Sequence, residues 1–214
     1  MAKNDPAAVG AVQPEHFAFD AESEAKIAVI LKRYPPGRQA SAVMPLLDLA
    51  QRQMHRTTGS GWLPLAAMDV VADRLQMPKV RVYEVAKFYS MMILQPIGRY
   101  HLQICTGTSC WLRGSDRVAE VCKKVAGIEN FGETSADGMF TLSGVECLGA
   151  CVNAPVLKVN DDYYEDLDAE STEKVLEALK HGEHPKPGPV NGRQASAPEG
   201  GPIALASLTF DKAE

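Results

Sequence analysis

The sequence predicts an α+β protein built in series: a small helical bundle, then a small α/β sandwich, then an extended tail. Three observations carry that prediction. From Asp20 to Tyr89 apolar residues recur at i, i+3, i+4 and i+7, the spacing of a helix face. At Tyr100 the pattern changes to alternation, the spacing of a half-buried strand. Beyond Gly182 Pro, Gly, Ala and Ser dominate and no core pattern remains. The boundaries this implies are a flexible arm at 1–16, a helical bundle at 17–97, the sandwich at 98–182 and a tail at 183–214.

The first helix starts at Asp20, whose carboxylate suits an N-cap, and Glu22 follows in the first turn. Its apolar face is Ile27, Ile30, Leu31 and Tyr34, and Pro35-Pro36-Gly37 ends it. Val43, Leu46, Leu47, Ala50 and Met54 mark a second helix, with Pro45 confined to its first turn. Residues 57–61 read as a turn. A third helix begins near Pro64 and buries Leu65, Met68, Ala72 and Leu75. Pro78 closes it and opens a fourth, with Val82, Val85, Ala86 and Tyr89 on one side.

Tyr100 to Cys105 reads as a strand that delivers Cys105 at its end. Residues 111–126 read as one helix, with Val118, Val121, Cys122 and Val125 on a face. Residues 139–147 are strand-like and bring Cys147 near their end. Residues 155–160 form another strand. Asn160-Asp161-Asp162 is a turn signal, and Tyr163-Tyr164 starts the paired strand. Asp168 caps a last helix with Val175, Leu176 and Leu179, stopped by Gly182. In the tail, residues 203–210 suit lying along a partner.

Composition narrows the function classes. An apolar fraction of 45% is that of an ordinary globular protein, and a net charge of −5 argues against an unspecific nucleic-acid binder. No apolar run approaches the roughly 20 residues of a membrane span. The first residues lack the apolar core of a secretory signal and the Arg-rich, acid-poor character of a transit peptide. A cytoplasmic location is expected, or an organellar one after removal of a leader. Five cysteines, an odd number, disfavour a disulfide scaffold and favour metal binding in a reducing compartment.

Four of those five form two tight pairs, Cys105 with Cys110 (C-x4-C) and Cys147 with Cys151 (C-x3-C), with 36 residues between the pairs. Thiolates so placed can converge on one centre. C-x4-C is used on [2Fe–2S] clusters, in which each iron needs two thiolates. Structural zinc also accepts four cysteines at such spacings, so spacing prefers iron–sulfur and leaves zinc open. A disulfide enzyme is the weaker alternative, because no C-x-x-C is present. Gly107, Gly114 and Gly149 would permit close backbone approach, or serve as ordinary turn residues, and Arg113 would supply a nearby positive charge. Cys122, mid-helix on an apolar face, reads as a buried small hydrophobe.

Other conspicuous residues read plainly. Trp62 suits the cap of a helix bundle, and Met91 and Met92 suit core filling. His16, His55, His101, His181 and His184 lack paired metal spacing and read as surface or satisfied residues. Asp161 and Asp162 make a solvated turn. No Gly-x-Gly-x-x-Gly cradle, flavin site or nucleophile with its base is recognisable.

Longer stretches add a resemblance. Tyr34-Pro35 and residues 41–47 (SAVMPLL) match it, as do 82–89 (VYEVAKFY), 105–114, 137–142 (DGMFTL), 146–151 (ECLGAC), 153–155 and 160–164. Through them, over roughly residues 17–182, the chain resembles the thioredoxin-like [2Fe-2S] subunit of the NADH-oxidising module of respiratory complex I. Lys87 departs from the family's usual Thr. The resemblance implies a helical N-terminal domain, a thioredoxin-like C-terminal domain, and one [2Fe-2S] cluster on Cys105, Cys110, Cys147 and Cys151. It implies a non-catalytic redox subunit, without activity as an isolated chain, that exchanges single electrons with the FMN of a flavoprotein partner. That partner would bind NADH and a further iron–sulfur cluster, and other peripheral-arm subunits would complete the contacts. The expected place is the cytoplasmic face of a bacterial inner membrane, or the matrix side of a mitochondrial one. Related subunits serve NAD-linked hydrogenases and formate dehydrogenases. The continuation 112–115 (LRGS) and the segment 185–189 (PKPGP) look more like complex I of alphaproteobacterial or mitochondrial type.

Overall fold

The computed structural model describes residues 13–198 together with 200, 201, 203 and 204. Most of the expected arm, and most of residues 203–210, lie outside the described residues. The chain divides into two compact units, Met1–Arg99 and Tyr100–Glu214.

The first unit is helical. Helix α1, Ala21–Leu31, is capped by Asp20, whose carboxylate accepts from Ser23 N at 2.7 Å. A 3-10 turn, Gln39–Ala42, leads into α2, Val43–Thr58. Pro45 lies in the first turn of α2, where its missing N–H costs no helix hydrogen bond. The helix stops at Gly59, whose φ of +78° is the left-handed conformation that glycine takes without a Cβ penalty. The turn read at 57–61 therefore starts after Thr58. Helices α3, Leu65–Leu75, and α4, Lys79–Phe88, each follow a proline at the N-cap. The core joins Ile27, Leu46, Leu47, Leu63, Met68, Val71, Val82 and Ala86. Trp62 is buried against Met54 and Ile93, as a bundle cap should be. Of the paired methionines only Met92 fills core; Met91 is exposed.

The second unit carries one five-stranded sheet in the order β2-β1-β3-β4-β5. Its strands are β1 Tyr100–Cys105, β2 Phe140–Val145, β3 Leu157–Val159, β4 Asp162–Glu165 and β5 Gly188–Pro189. β1 and β2 run parallel, with Tyr100 opposite Phe140 and Cys105 opposite Val145. A parallel pair needs a crossover, which residues 106–139 supply. β3 runs antiparallel to both β1 and β4. Helix α7, Ala169–Lys180, has Asp168 and Ser171 as a reciprocal capping box. Leu102, Ile104, Phe140, Leu142 and Leu157 form the core with Val118, Cys122, Leu176 and Leu179 from the helices.

Two elements differ from expectation. The single helix read at 111–126 is two, α5 Thr108–Leu112 and α6 Ser115–Ala126. Gly114, at φ +94°, breaks the run and re-aims the chain. The stretch read as a tail without a core pattern contributes β5, parallel to β4, and a side chain buried at Arg193.

Candidate metal centre

The parallel register of β1 and β2 puts both strand ends at the same edge of the unit. Cys105 closes β1, and its N–H donates to Val156 O at 3.2 Å. Thr106 N and Oγ1 both donate to Val145 O, at 2.8 and 3.0 Å, which ties the first cysteine loop to the start of the second. Glu146 and Cys147 leave the sheet, since β2 ends at Val145 rather than at 147.

Helix α5 then turns Cys110 back beside Cys105. Gly107 precedes that helix, and a Cβ there would stand 2.7 Å from Glu146 O. The two cysteine loops thus approach at a distance only glycine permits. In the second loop Gly149 adopts φ +82°, and its N–H donates to Cys147 Sγ at 3.3 Å. Cys151 opens a 3-10 turn, Cys151–Asn153, and its Sγ lies 3.8 Å from Cys147 Sγ. Tyr163 Oη holds the loop by donating to Leu148 O at 3.1 Å.

The pairs differ in environment. Cys105 and Cys110 are buried beside Ala154 and Val156, whereas Cys147 and Cys151 are exposed. Burial pushes the Cys110 thiol up to about 12, and its hydrogen bond with Cys105 adds to the rise. The hydrogen bond with Cys147 and that neighbour's charge raise Cys151, against the Ser109 hydroxyl, which lowers it. Charge on Cys105 and on Cys151 also acts across the two pairs, so all four thiols share one electrostatic neighbourhood.

The donor set fits a two-iron centre. Two ligands on one tetrahedral metal with bonds of about 2.3 Å stand roughly 3.8 Å apart, which is the Cys147–Cys151 separation. Two thiolates per iron is the demand of a [2Fe–2S] centre, whereas structural zinc asks for four ligands around one ion. A metal in place would also reverse the pKa shifts, because coordination deprotonates a thiol outright.

Cys122 is fully buried on α6, and burial pushes its thiol up to about 12. Gly114 serves the helix break and meets nothing within 4 Å of a Cβ. Arg113 has an exposed side chain, and its N–H closes α5 on Ser109 O and Cys110 O at 3.2 Å. His101 is buried and satisfied by Ser143 Oγ at 2.8 Å from its Nε2. Sequence reasoning missed Val156, Tyr163 and Arg193 as supports of the loops. Val156 fell inside the strand read at 155–160 and Tyr163 at the start of its paired strand, but neither reading gave the residue that role, and Arg193 carried no signal.

Residues 27–180 match the family model of the thioredoxin-like [2Fe-2S] ferredoxin. The chain is 53% identical over 161 residues to an NADH-quinone oxidoreductase subunit of Rickettsia typhi, across 75% of this chain and 91% of that one. It is 46% identical over 189 residues to the mitochondrial NADH dehydrogenase [ubiquinone] flavoprotein 2 of Dictyostelium discoideum, across 87% of this chain and 74% of the other. Among solved structures it superposes on an NAD+-reducing [NiFe]-hydrogenase with a TM-score of 0.53 at 19% identity, over 64% of this chain and 23% of the longer hydrogenase chain, a likeness of fold. With α2 to α4, strands β1 to β4 and both cysteine loops inside the matched span, the chain belongs to the thioredoxin-like [2Fe-2S] ferredoxin family.

Proposed function

We propose that the protein is the electron-transfer subunit of an NADH:quinone oxidoreductase of the complex I type, and that Cys105, Cys110, Cys147 and Cys151 hold one [2Fe-2S] cluster. The observation that carries this is the parallel β1–β2 register, which brings two cysteine pairs 36 residues apart to one edge. Relatives named as subunits of that oxidoreductase, at 46–53% identity, support the choice of host. The hydrogenase alternative has only likeness of fold behind it.

When bound, a [2Fe–2S] centre supplies one-electron chemistry, so a hydride donor reaches it only through a flavin. The chain's residues divide the remaining work. Cys105 and Cys110 anchor the buried side, where Ala154 and Val156 exclude water. Cys147 and Cys151 face solvent and present the side nearest a partner's cofactor. Trp111, Leu112 and Val152, each adjacent to a ligand cysteine or one residue removed, are more than half exposed and form an apolar rim for docking the FMN- and NADH-binding flavoprotein. Other peripheral-arm subunits contact the same complex, on the cytoplasmic face of a bacterial membrane or its mitochondrial counterpart. Among the described residues no helix is long and apolar enough to cross a membrane.

The test is spectroscopic. The purified chain should be reddish brown and hold iron and sulfide. Dithionite should bleach it and give an S = 1/2 electron paramagnetic resonance signal. NADH should leave it oxidised until the flavoprotein is added. A colourless zinc protein would overturn the cluster, and rapid bleaching by NADH alone would overturn the subunit role.

A further inference from the structure

Beyond the cysteines, we infer that Arg193 and Asp166 form a charge-neutral clamp by which the C-terminal segment positions the Cys151 side of the metal centre. The inference rests on the cluster assignment proposed above.

Arg193 lies beyond α7, in a stretch with no periodic signal, yet it and Asp166 are each 9% exposed. The guanidinium meets the carboxylate as a fork. Nε donates to Asp166 Oδ2 at 2.6 Å, and Nη2 donates to Oδ1. The same Nη2 donates to Val152 O at 3.0 Å, and Nη1 donates to Ala197 O at 3.2 Å. One side chain therefore joins the sheet unit, the residue after Cys151 and the C-terminal segment.

Asp166 completes the loop from its own side. Its N–H donates to Asn153 O at 2.8 Å, and Asn153 Nδ2 donates to Ala195 O at 3.0 Å. Val190 N donates to Glu165 O at 3.0 Å and continues the attachment started by β5. The segment also walls a cavity of about 590 Å3 whose opposite wall runs from Gly149 through Cys151 to Asn153.

With both side chains largely out of water, removing one charge leaves the other uncompensated, whereas removing both does not. With both present, the pair adds no net charge beside a centre that gains a negative charge on reduction. Arg193 is thus a positioning residue: it touches the backbone that carries Cys151, not the metal.

The test uses the purified full-length chain loaded with its cluster. The readouts are midpoint potential and the rate of iron loss to a chelator. Asp166→Asn strands a permanent positive charge and should raise the potential. Arg193→Gln strands a carboxylate and should lower it. Both should lose iron about tenfold faster, as loss of a partner that holds a metal ligand in place does. Arg193→Lys keeps the charge without the fork, so its potential should stay near wild type while iron loss accelerates. If Arg193→Gln fails to fold, the double variant with Asp166→Asn serves, with the wild-type potential and fast iron loss. Opposite potential shifts are a signature that general destabilisation does not produce. Variants matching wild type in both readouts would overturn the clamp alone. A wild-type chain that assembles no [2Fe–2S] cluster would overturn the functional assignment beneath it.

Discussion

Gly107 faces the backbone carbonyl of Glu146 so closely that any side chain would intrude between the two cysteine loops: a Cβ would stand 2.7 Å from that oxygen. Its own backbone, at φ −63°, is one that any residue adopts, so the restriction is steric. Gly107→Ala should therefore force the loops apart, costing about 1–3 kcal/mol, and speed iron loss. Gly114→Ala is the contrast. It meets nothing but must adopt φ +94°. It should lower stability by about 1–2 kcal/mol with the cluster spectrum unchanged. Equal iron retention in the two variants would refute the distinction.

Serine at Cys105, Cys110, Cys147 or Cys151 should lose or strongly destabilise the cluster, because each iron would lose a soft thiolate. Cys122→Ser should keep the full visible spectrum. Its hydroxyl, buried on α6, can bond back to a carbonyl of the preceding turn, so the cost should be of order 1 kcal/mol. Iron analysis of the five variants decides the ligand set. Iron lost at Cys122 and kept at Cys110 would reverse it.

His101 predicts a pH dependence. Burial, with the Lys158 charge second, pushes its pKa down to about 4 from an ordinary 6.5. The folded chain holds the ring neutral while the unfolded chain takes up a proton below pH 6.5. Stability should then be constant above that pH, fall as pH drops toward 4, and level off below. Between pH 7 and pH 5 the loss should be about 2 kcal/mol. Denaturant titrations of wild type and His101→Gln at both pH values, in the same loading state, measure it. A wild-type slope that survives in His101→Gln would assign the effect to other groups.

In the helical unit Gln53 is buried on α2 and holds the segment before α1. Its Oε1 accepts from Asp20 N at 3.0 Å and its Nε2 donates to Ala18 O at 2.8 Å. Gln53→Leu keeps the volume but strands both backbone groups, at about 1–3 kcal/mol. Thermal unfolding should shift down while the visible spectrum holds. An unchanged melting temperature would mean that the stranded groups find water.

The helices were legible because their signals are local. Asp20 and Asp168 cap where carboxylates cap, and prolines stand at the starts of α3 and α4. The meeting of the two cysteine loops was also legible, since alternation placed Cys105 at a strand end and Cys147 near another. The break at Gly114 was not, because Val118, Val121, Cys122 and Val125 continue a helical pattern, and one glycine within such a pattern is ambiguous. Arg193 was beyond sequence reasoning for another reason. A lone ion pair to Asp166 across 27 positions has no period, and the segment around it has the composition of a linker.

The register of β1 against β2 also sets an order of events during biogenesis. A nascent chain exposes Cys105 and Cys110 long before Cys147 leaves the ribosome. The two halves meet only after the crossover helices dock and Cys105 comes to lie opposite Val145, forty positions away. Contacts of such separation close late in folding. The two cysteine pairs therefore come together only in a domain whose sheet has closed in register, and a chain that slips at β1–β2 keeps its thiols apart.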